Sequence, residues 1–207
     1  MIHTGRVPRC SRPTVALGVL LLVGVACSSQ DGRSLPPPDP AITTTTSVAP
    51  EIGPPVGAID AFLLQSTAFP DGGPIPEKLT CVGEDVSPDL SWTGTPAEAL
   101  ELAIVVRDRN AAGFVHWVVT GIDPIVQGLG EGGIPEGAVE HANDTGTVGW
   151  AGPCPPAGSG VHVYEIILHA LDARTDIPPG TSPEQAATLI ESSSSQRAVL
   201  TGTVDAR

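Results

Sequence analysis

The 207-residue chain is acidic, with 23 Asp and Glu against ten Lys and Arg, a formal net charge of −13. Three of the ten basic residues precede position 27 and every acidic residue follows it, so the remainder carries a formal net charge of −16. A surface of this sign repels phosphate polymers, which argues against nucleic-acid binding and against polybasic attachment to a membrane.

Residues 1–26 have the pattern of a secretory signal peptide. Three arginines precede an apolar run over residues 15–26, which has about 18 Å of helical length against the roughly 30 Å hydrocarbon core, so we expect no transmembrane helix. Cys27 directly after Val25-Ala26 resembles the lipidated cysteine of bacterial lipoproteins, although Gly24 stands where Leu is usual. We therefore expect lipid anchoring on the extracytoplasmic face of the cell membrane. Signal cleavage with Cys27 as an incidental thiol is the alternative.

Two further regions follow the signal. Residues 27–57 hold a Pro run at 36–38 and a Thr run at 43–46, with few large apolar residues, and are predicted to be a disordered tether. Residues 58–207, about 150 in number, are enough for one domain with its own core.

The apolar runs of this domain are short, β-branched and bounded by Gly, Pro or Asp, which is typical of strands. Their near-continuous apolar character predicts burial on both faces. The clearest runs cover residues 100–106, 114–122, 161–171 and 198–204. One short helix is predicted near the C-terminus, because Ser182 can act as N-cap, Pro183 fits the first helical position and Gln185 completes a capping box. The domain is therefore predicted to be mainly β.

Four polar side chains are candidates for one site at the strand ends. His162 and Tyr164 are two residues apart on a predicted strand and leave the same face, whereas His169 has the opposite parity. Asp108 ends one strand and His116 begins the next. Imidazolium and hydroxyl groups can donate to phosphate or carboxylate oxygens, so a shared site would suit a small anion. Histidines that are simply packed in the core are the alternative.

A series of motifs runs through residues 60–205 in a fixed order. They lie at residues 69–72, 80–92, 113–119, 152–156, 162–164 and 170–172. In content and spacing they resemble the phosphatidylethanolamine-binding protein family, and more narrowly its bacterial Raf-kinase-inhibitor-like branch. The resemblance implies a β-sandwich with Greek-key character and a small pocket at one end that binds phosphate-like anions.

The resemblance also implies which residues bind the ligand. They are Asp108, His116, Pro155, Pro156, His162 and Tyr164. The sequence departs from the family at 109–112, where Arg-Asn-Ala-Ala replaces a common Pro-Asp-Ala-Pro, and at Val163, where Arg is usual. Loss of both prolines puts the shape of this rim loop in doubt.

The same resemblance places Cys81 and Cys154 beside motifs that line the pocket. In an oxidising exported compartment the two are expected to form a disulfide. Two separate buried thiols are the alternative.

The functional prediction is a binding protein, not an enzyme, with no cofactor or metal. No Gly-x-Ser-x-Gly elbow is present, and Ser159 lies in a glycine loop without a catalytic motif. His116, His162 and Asp108 match a two-His-one-carboxylate metal set in type, but the resembled pocket is not a known metal site. The expected ligand is a small anionic or phosphorylated molecule. The alternative is a protein-interaction module that inhibits an extracytoplasmic peptidase or signalling receptor.

Overall fold

The computed structural model describes residues 61–206. The predicted signal peptide, the tether and Cys27 lie outside the described residues, so these stay predictions. No helix in the described part is long and apolar enough to cross a membrane.

The described chain folds into nine strands, one α-helix and one 3-10 turn. The strands are β1 (Leu63–Gln65), β2 (Gly73–Pro74), β3 (Leu90–Thr93), β4 (Glu101–Asp108), β5 (Phe114–Ile122), β6 (Gly128–Leu129), β7 (Val139–Glu140), β8 (Gly160–Leu171) and β9 (Ser194–Ala206). The 3-10 turn is Glu77–Leu79 and helix α1 is Pro183–Ser192. All four predicted strands and the predicted helix are confirmed, with boundaries that differ by a few residues.

The strands form two sheets. A six-stranded sheet has the order β2-β9-β8-β4-β5-β7, and a three-stranded sheet has the order β1-β3-β6. Every pairing is antiparallel except β2 with β9. The chain returns from the β4–β5 hairpin to lie beside β4 as β8, the kind of crossover found in Greek-key sheets. The prediction of a mainly β sandwich with one short helix is confirmed.

The large sheet is buried on both faces, as its apolar strands predict. One face of β4 packs into the main core between the sheets, which includes Trp92 and Trp117. The other face packs against α1 through Ala103 and Val105. Alternate residues of one strand thus serve two different cores.

Helix α1 begins after Ser182, which caps its N-terminus. The Ser182 hydroxyl accepts a hydrogen bond from the Gln185 amide, and the Gln185 side chain accepts one from the Ser182 amide. This capping box satisfies two amide groups that have no partner within the helix. Helix α1 therefore covers the outer face of the large sheet from a fixed starting point.

A disulfide joins Cys81 to Cys154, with their Cα atoms 5.5 Å apart. The predicted pairing is confirmed and the alternative of two free thiols is wrong. The bond ties the segment after the 3-10 turn to the Pro-rich segment that leads into β8.

Candidate functional site

The site is built around a carboxylate–imidazole pair between β4 and β8. Antiparallel register sets Asp108 opposite Tyr164. The Asp108 Oδ2 atom lies 2.6 Å from Nδ1 of His162, and the two residues are only 3% and 5% exposed. Asp108 Oδ1 also accepts a hydrogen bond from the Asn110 amide at 2.7 Å. Both carboxylate oxygens are therefore occupied, which fixes the imidazole ring.

His116 reaches the same place from β5. Its ring meets the Tyr164 ring edge-on at a centroid distance of 5.2 Å, while the His162 ring stacks with Tyr164 at 6.4 Å. Together with the Asp108–His162 contact, these distances show that the four central side chains lie in one cluster. His116 and His162 therefore share one cluster, and both are also buried and hydrogen-bonded, so the alternative of packed core histidines stays open.

His116 is held as a neutral imidazole. Its Nδ1 donates to the Ala151 carbonyl at 2.7 Å, so the lone pair of the neutral ring lies on Nε2. Burial lowers the pKa of His116, an effect that the Ala151 carbonyl and the nearby carboxylates, Asp108 first among them, only partly oppose. A new acceptor that faced Nε2 would favour a second proton on this ring.

The Tyr164 hydroxyl lies beside the Asp108 carboxylate but forms no hydrogen bond of normal geometry with it. Its oxygen is buried and makes no hydrogen bond with any group in residues 61–206. Burial and the adjacent Asp108 carboxylate raise the pKa of Tyr164, which keeps the hydroxyl protonated. An unsatisfied buried hydroxyl costs about 1–3 kcal/mol. The cluster thus contains a donor without a well-formed hydrogen bond, beside an Asp108 carboxylate that already bonds to His162 and Asn110.

The rim lies in the loop that leads into β8. The Ser159 Oγ atom is 2.9 Å from Nε2 of His162 and 2.7 Å from the Pro156 carbonyl oxygen. The sequence analysis assigned no role to Ser159, because no catalytic motif surrounds it. Its position three residues before His162, in a Gly-Ser-Gly turn, is the only sequence signal that was available.

Pro155 faces a neighbouring groove instead of the four central residues. This groove has a volume of about 490 Å³ and runs along the disulfide. Its apolar walls include Ile75, Val82 and Val161. Pro155 thus lines the groove, whereas Pro156 contacts the cluster side through the bond of its carbonyl oxygen with Ser159.

The altered rim loop is stabilised by an asparagine. The Asn110 amide N–H bonds to Asp108, and the Asn110 side-chain oxygen accepts from the Val163 amide at 2.9 Å. Arg109 pairs with Glu165 at 3.6 Å, and Glu165 has the strand parity opposite to His162 and Tyr164. Arg109 thus brings no positive charge to the cluster.

No group of three or more His, Cys, Asp or Glu side chains within residues 61–206 is arranged to hold a metal ion. In particular, Asp108, His116 and His162 share a site without the arrangement of a metal-binding set. Asp108 bonds instead to His162 and to the Asn110 amide, and Nδ1 of His116 bonds to the Ala151 carbonyl.

Comparison with known proteins places the chain in a family. The family profile described as phosphatidylethanolamine-binding protein matches residues 65–205. LppC of Mycobacterium tuberculosis, which is named as a lipoprotein, is 38% identical over 198 residues, covering 93% of this chain and 96% of that protein. A UPF0098 protein of Methanothermobacter thermautotrophicus is 48% identical over 128 residues, covering 58% of this chain and 83% of that protein.

Two solved structures are similar to the model. Escherichia coli YbcL, described as a member of the mammalian PEBP family, matches with a TM-score of 0.67 and 26% identity, covering 70% of this chain and 99% of YbcL. A phosphatidylethanolamine-binding protein homologue from Chlamydia trachomatis matches with a TM-score of 0.62 and 34% identity, covering 70% of this chain and 97% of that one. Sequence profile, relatives and fold agree, and the chain belongs to the phosphatidylethanolamine-binding protein family.

Proposed function

We propose that the protein is an extracytoplasmic, lipid-anchored binding protein whose pocket takes a small anion, such as phosphate or a phosphorylated head group. The pocket is the cluster of Asp108, His116, His162 and Tyr164. The observation that carries the proposal is the buried Tyr164 hydroxyl, a protonated donor that makes no well-formed hydrogen bond although it lies beside the Asp108 carboxylate. Binding is the whole of this function, and it requires no catalysis, cofactor or metal.

Hydrogen bonding favours a charged His162. Its Nδ1 donates to Asp108, and Ser159 has a single proton to share between the Pro156 carbonyl and Nε2. A carbonyl cannot donate, so whenever Ser159 donates to Pro156, Nε2 must itself carry a proton. The imidazolium beside the Asp108 carboxylate then presents a donor at the mouth of the cluster, where an anion oxygen can replace Ser159.

An anion would also provide a hydrogen-bond partner for Tyr164 and for His116. It supplies a well-placed acceptor for the Tyr164 hydroxyl, and it favours a second proton on His116 at Nε2. Three donors around one anion offset the repulsion from the acidic remainder of the chain, because short-range charge-assisted bonds outweigh screened surface charge.

Membrane attachment is proposed from the N-terminal sequence and one relative. Cys27 follows an apolar run of lipoprotein type, and the similar Mycobacterium tuberculosis protein is named as a lipoprotein. We infer that a lipid on Cys27 holds the domain at the outer face of the cell membrane. Mass analysis of the N-terminal peptide tests this, and a Cys27 that carries no lipid in the exported protein would refute it.

The Tyr164→Phe variant tests the pocket. Because the change removes only a hydroxyl without a well-formed hydrogen bond, we expect an unfolding free energy equal to or about 1 kcal/mol above that of the original protein. We expect inorganic phosphate to bind about tenfold more weakly in calorimetry, since a bond to a charged group contributes about 1.5–3 kcal/mol. An unchanged phosphate affinity would contradict the proposal.

A second candidate function is binding and inhibition of an extracytoplasmic peptidase or receptor. The observation that favours it is the apolar rim of the neighbouring groove, where Val82 is 74% and Val161 is 56% exposed. The same Tyr164→Phe variant separates the two functions. A partner that docks on this rim is captured equally from membrane extract by both proteins, whereas phosphate binding depends on the hydroxyl.

A further inference from the structure

Three side chains of the rim and the cluster form a continuous hydrogen-bonded line. Ser159 Oγ lies 2.9 Å from Nε2 of His162, and Nδ1 of His162 lies 2.6 Å from Asp108 Oδ2. A hydroxyl, an imidazole and a buried carboxylate in this order are the arrangement that activates a serine nucleophile. We propose that Ser159 is a reactive nucleophile that takes up an acyl group from activated carboxylic esters.

The line is oriented as such chemistry requires. Asp108 and His162 are buried and mutually fixed, while Ser159 is exposed at the outer end. Gly158 and Gly160 flank the serine with φ values of +77° and +87°, and the space beside each Cα is open for 4 Å. The hydroxyl is thus carried on an exposed residue between two glycines that add no side chain beside it.

The proton of Ser159 has two acceptors, which defines two states of the site. When the proton lies on the Pro156 carbonyl side, His162 is an imidazolium and suits an anion. When it lies on Nε2, His162 is a neutral base and Ser159 is a nucleophile. The inference goes beyond the proposed binding function, although both use Asp108 and His162.

The chemical step balances within this set. The Ser159 oxygen forms a bond to the ester carbonyl carbon as His162 Nε2 takes the hydroxyl proton. The bond from carbon to the leaving alkoxide then breaks, and His162 returns the proton to that oxygen. The products are an acylated Ser159 and one free alcohol, and Asp108 stabilises the transient imidazolium throughout.

The loop sets a limit to this reactivity. The Ser159 amide donates to the Pro156 carbonyl and the Gly158 amide donates to the Ala206 carbonyl, so neither is free to stabilise an oxyanion. General-base catalysis alone contributes about 10²- to 10⁴-fold. We therefore expect Ser159 to be acylated by esters that have good leaving groups, and we do not expect efficient catalytic turnover.

A fluorophosphonate reagent applied to the full-length protein in mild detergent tests the inference, because its serine adducts persist. Ser192 is an internal control: it is exposed, and its hydroxyl donates to the carbonyl three residues earlier, as that of Ser159 does, but no histidine contacts it. Peptide mass spectrometry is expected to find Ser159 labelled at least about 100-fold faster than Ser192. Equal labelling of the two serines would overturn the inference.

Variants keep this result separate from the binding function. His162→Gln is expected to lower labelling of Ser159 to the Ser192 level, and Ser159→Ala is expected to abolish it. Tyr164→Phe weakens phosphate binding and leaves Ser159 labelling intact. If Ser159 were labelled at the same rate in His162→Gln as in the original protein, the role of His162 as base would be wrong.

Discussion

Strand β8 buries two histidines, and their surroundings differ in one decisive respect. His162 lies in the cluster with Tyr164 and bonds to the Asp108 carboxylate. His169 faces α1, where it contacts only the Ser194 hydroxyl at 3.0 Å, and its Nε2 is buried with no partner among the described residues. Burial, together with the charges of Arg197 and Arg107, lowers the pKa of His169 to about 4.

The comparison shows that burial alone does not make a functional histidine. Both rings are almost fully removed from water, yet one is paired with an anion and the other lies near cations. An imidazole beside a carboxylate can hold and transfer a proton, whereas an imidazole near guanidinium groups is kept neutral. On β8 this difference follows from parity, since the two rings leave opposite faces of the sheet.

The largest expected effect comes from removing the carboxylate. Asp108→Ala is expected to lower the unfolding free energy by about 3–5 kcal/mol, because it leaves the buried His162 ring and the Asn110 amide without their partner. Denaturant unfolding at neutral pH measures it. The matched control is Glu191→Ala, which removes an exposed carboxylate from Arg107 on the opposite face and should cost at most about 1 kcal/mol. Equal losses of unfolding free energy in the two variants would mean that the buried Asp108–His162 pair stabilises the fold no more than an exposed ion pair does.

The second effect is acid destabilisation through His169. Its pKa is about 4 in the folded protein against 6.5 ordinarily, so between these values the unfolded chain binds the proton and the folded one does not. Stability attributable to His169 is therefore present above pH 6.5 and falls as the pH drops towards 4. We expect a loss of about 3 kcal/mol over this range.

The His169→Gln variant isolates that loss, because Gln does not titrate. Unfolding free energies at pH 7 and pH 4 are compared for both proteins, and contributions from other groups cancel in the difference. The original protein should lose about 3 kcal/mol more than the variant. Identical pH dependence would show that the pKa of His169 is the same in the folded and the unfolded protein.

Features governed by neighbours along the chain were predictable from sequence. The cap of α1 depends on three residues close in sequence, Ser182, Pro183 and Gln185. The long strands are recognisable from their own apolar pattern. The short strands β1, β2, β3, β6 and β7 were not predicted, because two to four residues hold too little pattern and pair only where tertiary contacts place them.

The candidate site also has features that were predictable from sequence and features that were not. Parity and strand ends placed His162 with Tyr164 and Asp108 near His116, and the family resemblance joined the two pairs. The roles of Ser159 and Asn110 depend on loop conformation, which the sequence does not specify once the usual prolines are absent. Arg109 was open between pocket and solvent, and its contact with Glu165 on the other strand face decides against the pocket.

The smallest effect concerns the one hydrogen bond that His169 makes. Ser194 donates to the Gln196 carbonyl and so accepts from Nδ1 of His169. Ser194→Ala leaves this second ring nitrogen buried without a partner, and we expect a loss of about 1 kcal/mol in unfolding free energy. Ser195→Ala is the control, because Ser195 bonds only to the Ala170 carbonyl. If Ser194→Ala leaves the unfolding free energy unchanged at neutral pH, packing alone holds His169, whereas a hydrogen bond to Asp108 holds His162.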